Sequence, residues 1–187
     1  MNKEFSAVLI AGGASTRMGI PKALVRVDGE LLWKRQVGIL RGIEPSELMI
    51  SAGHDWDPGP GPWSLLRDRT PGLGPLEGIG AALATASTEL LLVLAIDMPS
   101  MSAAYLKSLI EMAGPAGVVP VLDGFYQGLA AVYPRAAASL VEAALVGEDH
   151  SMQHLVRQAL LDGLLTEHNV SGADRHLFRN VNRPGDL

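Results

Sequence analysis

Seven consecutive apolar residues, Leu90-Leu-Leu-Val-Leu-Ala-Ile96, constrain the fold of this chain more than any other segment. A strand points alternate side chains to opposite faces, so a run that is apolar throughout needs cover on both sides. Central strands of parallel sheets meet that condition, because crossover helices lie on each face. The run is far too short to span a bilayer, and it stops at Asp97-Met98-Pro99. A strand at about residues 6–11 stops as abruptly at Gly12 and Gly13.

Strands and helices alternate along the rest of the chain. Leu32, Gln36, Ile39, Leu40 and Ile43 are spaced for a helix whose apolar members share a face. Leu48 to Ala52 reads as a strand, residues 57–62 as a proline-glycine loop, and Ser64 to Arg67 as a short strand. A helix carrying Ile79, Leu83 and Ala86 follows the glycine-proline stretch at 71–75. Ser102 is placed to cap a helix bearing Leu106, Leu109, Ile110 and Ala113. Strands are expected at 118–121 and 129–133. Pro134 then opens a helix with Ala137, Leu140, Val141, Ala144 and Leu145. Ser151 caps another with Met152, Leu155, Val156, Ala159 and Leu160, before a late strand near 164–168. This alternation predicts an α/β fold with a mostly parallel, doubly wound sheet. With no internal repeat or long linker, residues 1–187 form one domain.

In such sheets ligands sit beyond the carboxyl ends of the strands. Gly12 follows one strand and Asp97 another, so both are expected on one edge, around one ligand. The loop between them and the first helix reads Gly12-Gly13-x-x-x-Arg17-x-Gly19-x-x-Lys22. It matches neither the Walker phosphate loop nor the dinucleotide fingerprint. Glycines let backbone N–H groups approach phosphate oxygens, and Arg17 and Lys22 add positive charge. A polyphosphate ligand follows, with Lys22 suited to an oxygen that gains charge during transfer. That cationic patch has to be local, because the net charge is −5, which argues against a general nucleic-acid binder.

Asp97 is a hard oxygen donor at a strand's carboxyl end, which points to a Mg²⁺ ligand shared with substrate phosphates rather than a turn residue. Asp68, in Leu66-Arg67-Asp68-Arg69, is either a nucleotide contact or a surface partner of Arg67 or Arg69. Asn180 and Asn182 fall on one side of an extended segment, where they could orient phosphate or water, or simply belong to a turn before Pro184. His150 and His154 have zinc-binding spacing but no third ligand, and read as a solvated helix face. Ser15 lacks a triad context, and the chain has no cysteine, so neither a serine nor a thiol nucleophile is expected. Trp33 reads as core. Phe5 to Ala11 imitates a short signal peptide, but Glu4 precedes it and the stretch serves as a strand, so a cytoplasmic protein with no membrane segment is expected.

Taken together, Leu9-Ile-Ala-Gly-Gly-Ala-Ser-Thr-Arg-Met-Gly19, Lys22-Ala-Leu24, Asp28-Gly29, Gly74-Pro-Leu-Glu-Gly78, Ile96-Asp-Met-Pro99 and Asn180-Val-Asn-Arg-Pro184 resemble the molybdenum cofactor guanylyltransferases, the MobA family. The resemblance implies a Rossmann-like three-layer fold, GTP and Mg²⁺ as ligands, and transfer of GMP to molybdopterin-bound molybdenum cofactor. It assigns Leu9, Ala11, Gly12, Gly13, Lys22, Ser51, Asp68, Gly78 and Asp97 to the nucleotide, with Arg17, Lys22 and Asp97 catalytic and Asp97 on the metal. Asn180 and Asn182 belong to the same pocket. A molybdoenzyme or cofactor-delivery protein is the implied partner. Pro21 stands where the family often has Asp or Asn, Ser51 where Asn is common, and Gln127-Gly128 where Gln-Pro or His-Pro occurs. A cytidylyl or sugar-phosphate nucleotidyltransferase, or a non-catalytic GTP-binding module, are the competing expectations.

Overall fold

A computed structural model describes residues 3–12, 21–68 and 72–181. In chain order it contains β1 (Ser6–Ile10), β2 (Arg26–Val27), β3 (Glu30–Leu31), α1 (Leu32–Arg41), β4 (Glu47–Ala52), β5 (Ser64–Arg67) and α2 (Pro75–Thr85). There follow β6 (Leu90–Ala95), α3 (Ala103–Met112), β7 (Gly117–Leu122), β8 (Phe125–Tyr126), β9 (Ala130–Pro134), α4 (Ala138–Val146), α5 (Met152–Leu161) and β10 (Leu165–Asn169). The main sheet runs β10-β7-β9-β6-β1-β4-β5, with β8 hydrogen-bonded to β7. β6 lies at its centre, and β1 runs parallel to β6 on one side and to β4 on the other.

The doubly apolar strand is explained by two cores. Leu90, Leu92 and Leu94 of β6 face one side, with Ala7 and Leu9 of β1, and meet Val37 and Leu40 of α1 and Leu106 and Leu109 of α3. Leu91 and Val93 face the other, with Val8 and Ile10, and meet Ile79 and Leu83 of α2, Val141 of α4 and Val156 of α5. Each fully buried leucine of this kind contributes about 1.5–3 kcal/mol relative to exposure.

The expected parallel sheet is interrupted by β9 and by the short β8, which runs antiparallel to β7. β9 runs antiparallel to both β6 and β7. Side-chain periodicity does not encode strand direction, so the reversal is invisible in the residue pattern. Pro134 does not open a helix. It ends β9 and precedes a 3-10 turn, Arg135–Ala137, with α4 starting at Ala138. Ser102 caps α3 as expected, its hydroxyl accepting from Tyr105 N–H at 3.1 Å. Ser151 stands before α5 without a side-chain cap bond, and its own N–H donates to Asp149 at 2.8 Å. His150 lies outside α5 and His154 within it, so the two do not share a helix face.

Candidate active site

The carboxyl ends of β1, β4, β5 and β6 converge at one rim, as parallel pairing requires. There a cleft of about 200 Å³ is lined by Ile10, Ala11, Gly12, Lys22, Pro75, Ala95, Ile96, Asp97 and Leu129. Gly12 and Asp97 therefore meet around one hollow, as their positions after two strands predict. Lys22 arrives from a 3-10 turn, Lys22–Leu24, and its Nζ lies 2.9 Å from Asp97 Oδ2. The two side chains are about equally open to solvent, 23% and 21%. Pro75, the first residue of α2, puts that helix's amino end beside the cleft, where the helix dipole favours an anion. Gly74 before it has φ 67° and ψ −150°, a conformation that only glycine adopts without strain.

Another hollow, about 240 Å³, lies at the opposite, amino end of β1 and is lined partly by Lys3, Phe5, Ile43 and Ile110. Its Lys3 ammonium is engaged by the carbonyls of Ile110, Glu111 and Ala113 at the end of α3. Lys107, Glu44 and Glu111 line this hollow as well, and the rim cleft is set apart by the Lys22–Asp97 ion pair.

Not every expected contact reaches the cleft. The N–H groups of Ala11 and Gly12 both donate to Ser51 O, at 2.8 and 3.1 Å. Their donors are spent on β4, so these two residues line the hollow without offering it N–H groups. Leu9 is wholly buried in the α1/α3 core and does not reach the cleft. Gly78 lies inside α2, and a Cβ there would collide with the Ser51 hydroxyl and approach Ile10 Cδ1 to 3.0 Å. Its lack of a side chain lets α2 pack against β4. Gly13 and Arg17 lie outside the described residues, as does Asn182.

Asp68 follows β5 at the rim, and a Cβ on Gly12 would stand 3.4 Å from its Oδ2. The Ser51 hydroxyl hydrogen-bonds its carboxylate. Burial, and then the negative charge of Glu77, push the Asp68 carboxyl above its ordinary range. Arg67 is not paired with Asp68. It binds Asp57 Oδ2 at 2.6 Å and the carbonyls of Gly53 and Trp56, so the surface-pair alternative with Arg67 falls away. Glu77, buried beside Asp68, was missed by sequence reading, although an acid on a helix otherwise rich in Leu, Ile and Ala was visible.

The Asp97 turn is anchored from several directions. Asp97 O accepts from Val181 N–H at 2.8 Å, which brings exposed Asn180 to the turn. Gln36 Nε2 donates to Ile96 O at 3.3 Å and to Met98 O at 2.6 Å. Arg35 Nε donates to Pro99 O at 3.0 Å. No group of three or more His, Cys, Asp or Glu that could hold a metal occurs among the described residues. Asp97 alone is still a donor set that suits Mg²⁺, which commonly takes one or two carboxylates plus phosphate oxygens and water.

The chain is 34% identical over 186 residues to an Opitutus terrae protein named probable molybdenum cofactor guanylyltransferase, covering 97% of this chain and 92% of that one. A Mycobacterium tuberculosis protein of the same name is 36% identical over 190 residues, covering 97% and 90%. The crystal structure of molybdopterin-guanine dinucleotide biosynthesis protein A from Archaeoglobus fulgidus superposes with a TM-score of 0.74 at 23% identity, covering 97% of this chain and 94% of that one. That likeness shows the Rossmann-like α/β fold shared with nucleotidyltransferases. The model of the MobA-like NTP transferase domain matches residues 7–164, from β1 to the edge of β10, and with near-full-length relatives on the same side the chain belongs to that nucleotidyltransferase family.

Proposed function

We propose that this protein transfers GMP from GTP to the terminal phosphate of molybdopterin-bound molybdenum cofactor, forming the guanine dinucleotide cofactor and releasing pyrophosphate. The observation that carries the reading is the Lys22–Asp97 pair at the mouth of the rim cleft, in a chain whose relatives bear the guanylyltransferase name. A phosphate oxygen of the acceptor forms a bond to the α-phosphorus of GTP while the bond to the β-phosphate bridging oxygen breaks. The acceptor phosphate, with a second pKa near 6, is already ionised at neutral pH, so no side chain has to remove a proton.

The protein's work is therefore alignment and charge compensation. Lys22 meets phosphate oxygens with a point charge, and Arg17 adds to it. Asp97 would hold Mg²⁺, which supplies charge neutralisation on the transferring and departing phosphates. Asp68, with Ser51 bonded to it, contacts the nucleoside, and the amino end of α2 faces the phosphates through Pro75. Asn180, next to the Val181 that binds the Asp97 turn, orients phosphate or water there, and Asn182 is assigned the same task by the family motif. A molybdoenzyme or a cofactor-delivery protein receives the product, and the cytoplasm is the compartment. Among the described residues no helix is long and apolar enough to cross a membrane.

The test is pyrophosphate release with GTP, CTP, ATP and UTP in turn, with and without molybdopterin cofactor, in Mg²⁺. Release with GTP that depends on the acceptor is expected. Preference for CTP would move the chain to cytidylyl transfer, and GTP binding without turnover for any acceptor would make it a binding module.

A further inference from the structure

Every backbone carbonyl of the turn that carries Asp97 is held by a group from a distant part of the chain. Ile96 O and Met98 O, on either side of residue 97, accept from the same Gln36 amide nitrogen. Asp97 O accepts from Val181 N–H, and Pro99 O from Arg35 Nε. The Ile96 N–H donates to Ile10 O at 3.0 Å. The peptide units flanking Asp97 thus have little freedom to turn, and its carboxylate is left facing Lys22.

Gln36 occupies an unusual position for an amide. It is wholly buried on a helix face otherwise made of Leu32, Trp33, Val37 and Leu40. The two carbonyls fix which end of the amide is nitrogen, and both of its hydrogens are used. The price is its oxygen: Oε1 is buried with no hydrogen-bond partner among the described residues. A methionine or leucine would fill the space without leaving that acceptor bare. Packing alone therefore does not account for the residue, whereas the grip on the Asp97 turn does.

We infer that Gln36, with Arg35 beside it, is a positioning residue for Asp97, fixing the aim of the carboxylate toward the divalent cation it would hold. Neither side chain is among those that line the cleft. α1, which starts at Leu32 beyond β2 and β3, packs on the turn that carries Lys22, so one helix sets both the lysine and, through Gln36, the carboxylate. Groups that orient a metal's ligand typically change affinity or activity 10- to 100-fold when removed.

The inference rests on the reading of Asp97 as a metal ligand, and the experiment separates the two. Mn²⁺ binding in the presence of GTP is measured by electron paramagnetic resonance for the wild type, Asp97→Asn, Gln36→Met and Arg35→Met, with GTP affinity in the absence of metal and thermal melting alongside. Methionine keeps the volume and helix preference of glutamine but donates no hydrogen bond. For Gln36→Met a loss of Mn²⁺ affinity of about 10-fold or more is expected, with metal-free GTP affinity unchanged. A role in packing alone would lower the melting temperature and leave the Mn²⁺ affinity of the folded protein intact, and that result would overturn the inference. If Gln36→Met does not fold, the half-exposed Arg35→Met decides. A weaker Mn²⁺ site supports the clamp, and an unchanged one sinks it. If wild type and Asp97→Asn bind Mn²⁺ alike, the metal reading itself fails and the inference goes with it. If only Asp97→Asn loses the ion, the metal reading stands and the clamp alone is wrong.

Discussion

Lys22 Nζ lies 2.9 Å from Asp97 Oδ2, although the two residues are 75 positions apart. They reach one another because β1 and β6 are neighbours and both end at the same rim. The pair joins the cleft's described lysine to the carboxylate best placed for a cation. A triphosphate entering with its metal would give each of them a new partner of opposite charge.

Asp97→Ala and Lys22→Ala should each lower the single-turnover rate of GMP transfer by about 10²–10³, the usual scale for removing a group that meets developing charge. Both should melt close to wild type, since a partly exposed ion pair contributes only about 0–1 kcal/mol. Near-normal rates for Asp97→Ala in Mg²⁺ would remove it from the reaction.

The contact of Gly78 with Ser51 predicts a stability effect that can be partly reversed. Gly78→Ala drives a methyl into the Ser51 side chain and toward Ile10, and should cost about 1–3 kcal/mol in chemical denaturation. Adding Ser51→Gly removes the main obstacle. The double variant should recover part of the loss, and strictly additive losses would show that α2 does not press on Ser51 in solution.

Two carboxylates should respond to acid in opposite senses. The Asp68 carboxyl is raised by burial and then by Glu77, so its ionised form opposes folding. That cost is absent below the unfolded pKa near 3.8 and fully present once pH exceeds the raised folded value. Asp68→Asn should therefore melt above wild type at pH 7, with the gap closing in acid, while its KM for GTP rises. Glu47 is lowered by hydrogen bonds from the Ser87 and Ser6 side chains and from the Ser87 backbone. Its contribution is present above the unfolded value of 4.5 and fades as pH falls through the lowered folded one. Glu47→Gln should melt slightly below wild type at pH 7 and converge with it in acid. Melting curves across pH for both variants check the two signs together.

Ser102→Ala should leave the Tyr105 N–H at the start of α3 without its side-chain acceptor. A loss of about 1 kcal/mol is expected, or about 2–4 °C in melting temperature, with GMP transfer unaffected.

Much of this architecture follows from local pattern. The apolar run at 90–96 could only be a strand covered on both faces, and Leu9 and Val8 share its sheet because they obey the same rule. Ser64–Arg67 and the Ser102 cap stand where short-range signals put them. Gly12 and Asp97 share a rim because strands in a parallel sheet end at the same side. Two-residue strands such as β2, β3 and β8 are too short for any periodicity to register. The reversed direction of β9 left no mark on its side-chain pattern. Leu9 and Gly78, drawn from the family motif, lie in the core beside α1 and at the α2–β4 contact, where pattern alone could not place them. What only the folded chain decided is partnership. Asp68 lies against Gly12, Gln36 spans Asp97, and Val181 closes on the same turn, through contacts of 56 to 84 residues in separation. Such contacts depend on which strands became neighbours, a property of the whole sheet that no single stretch of sequence carries.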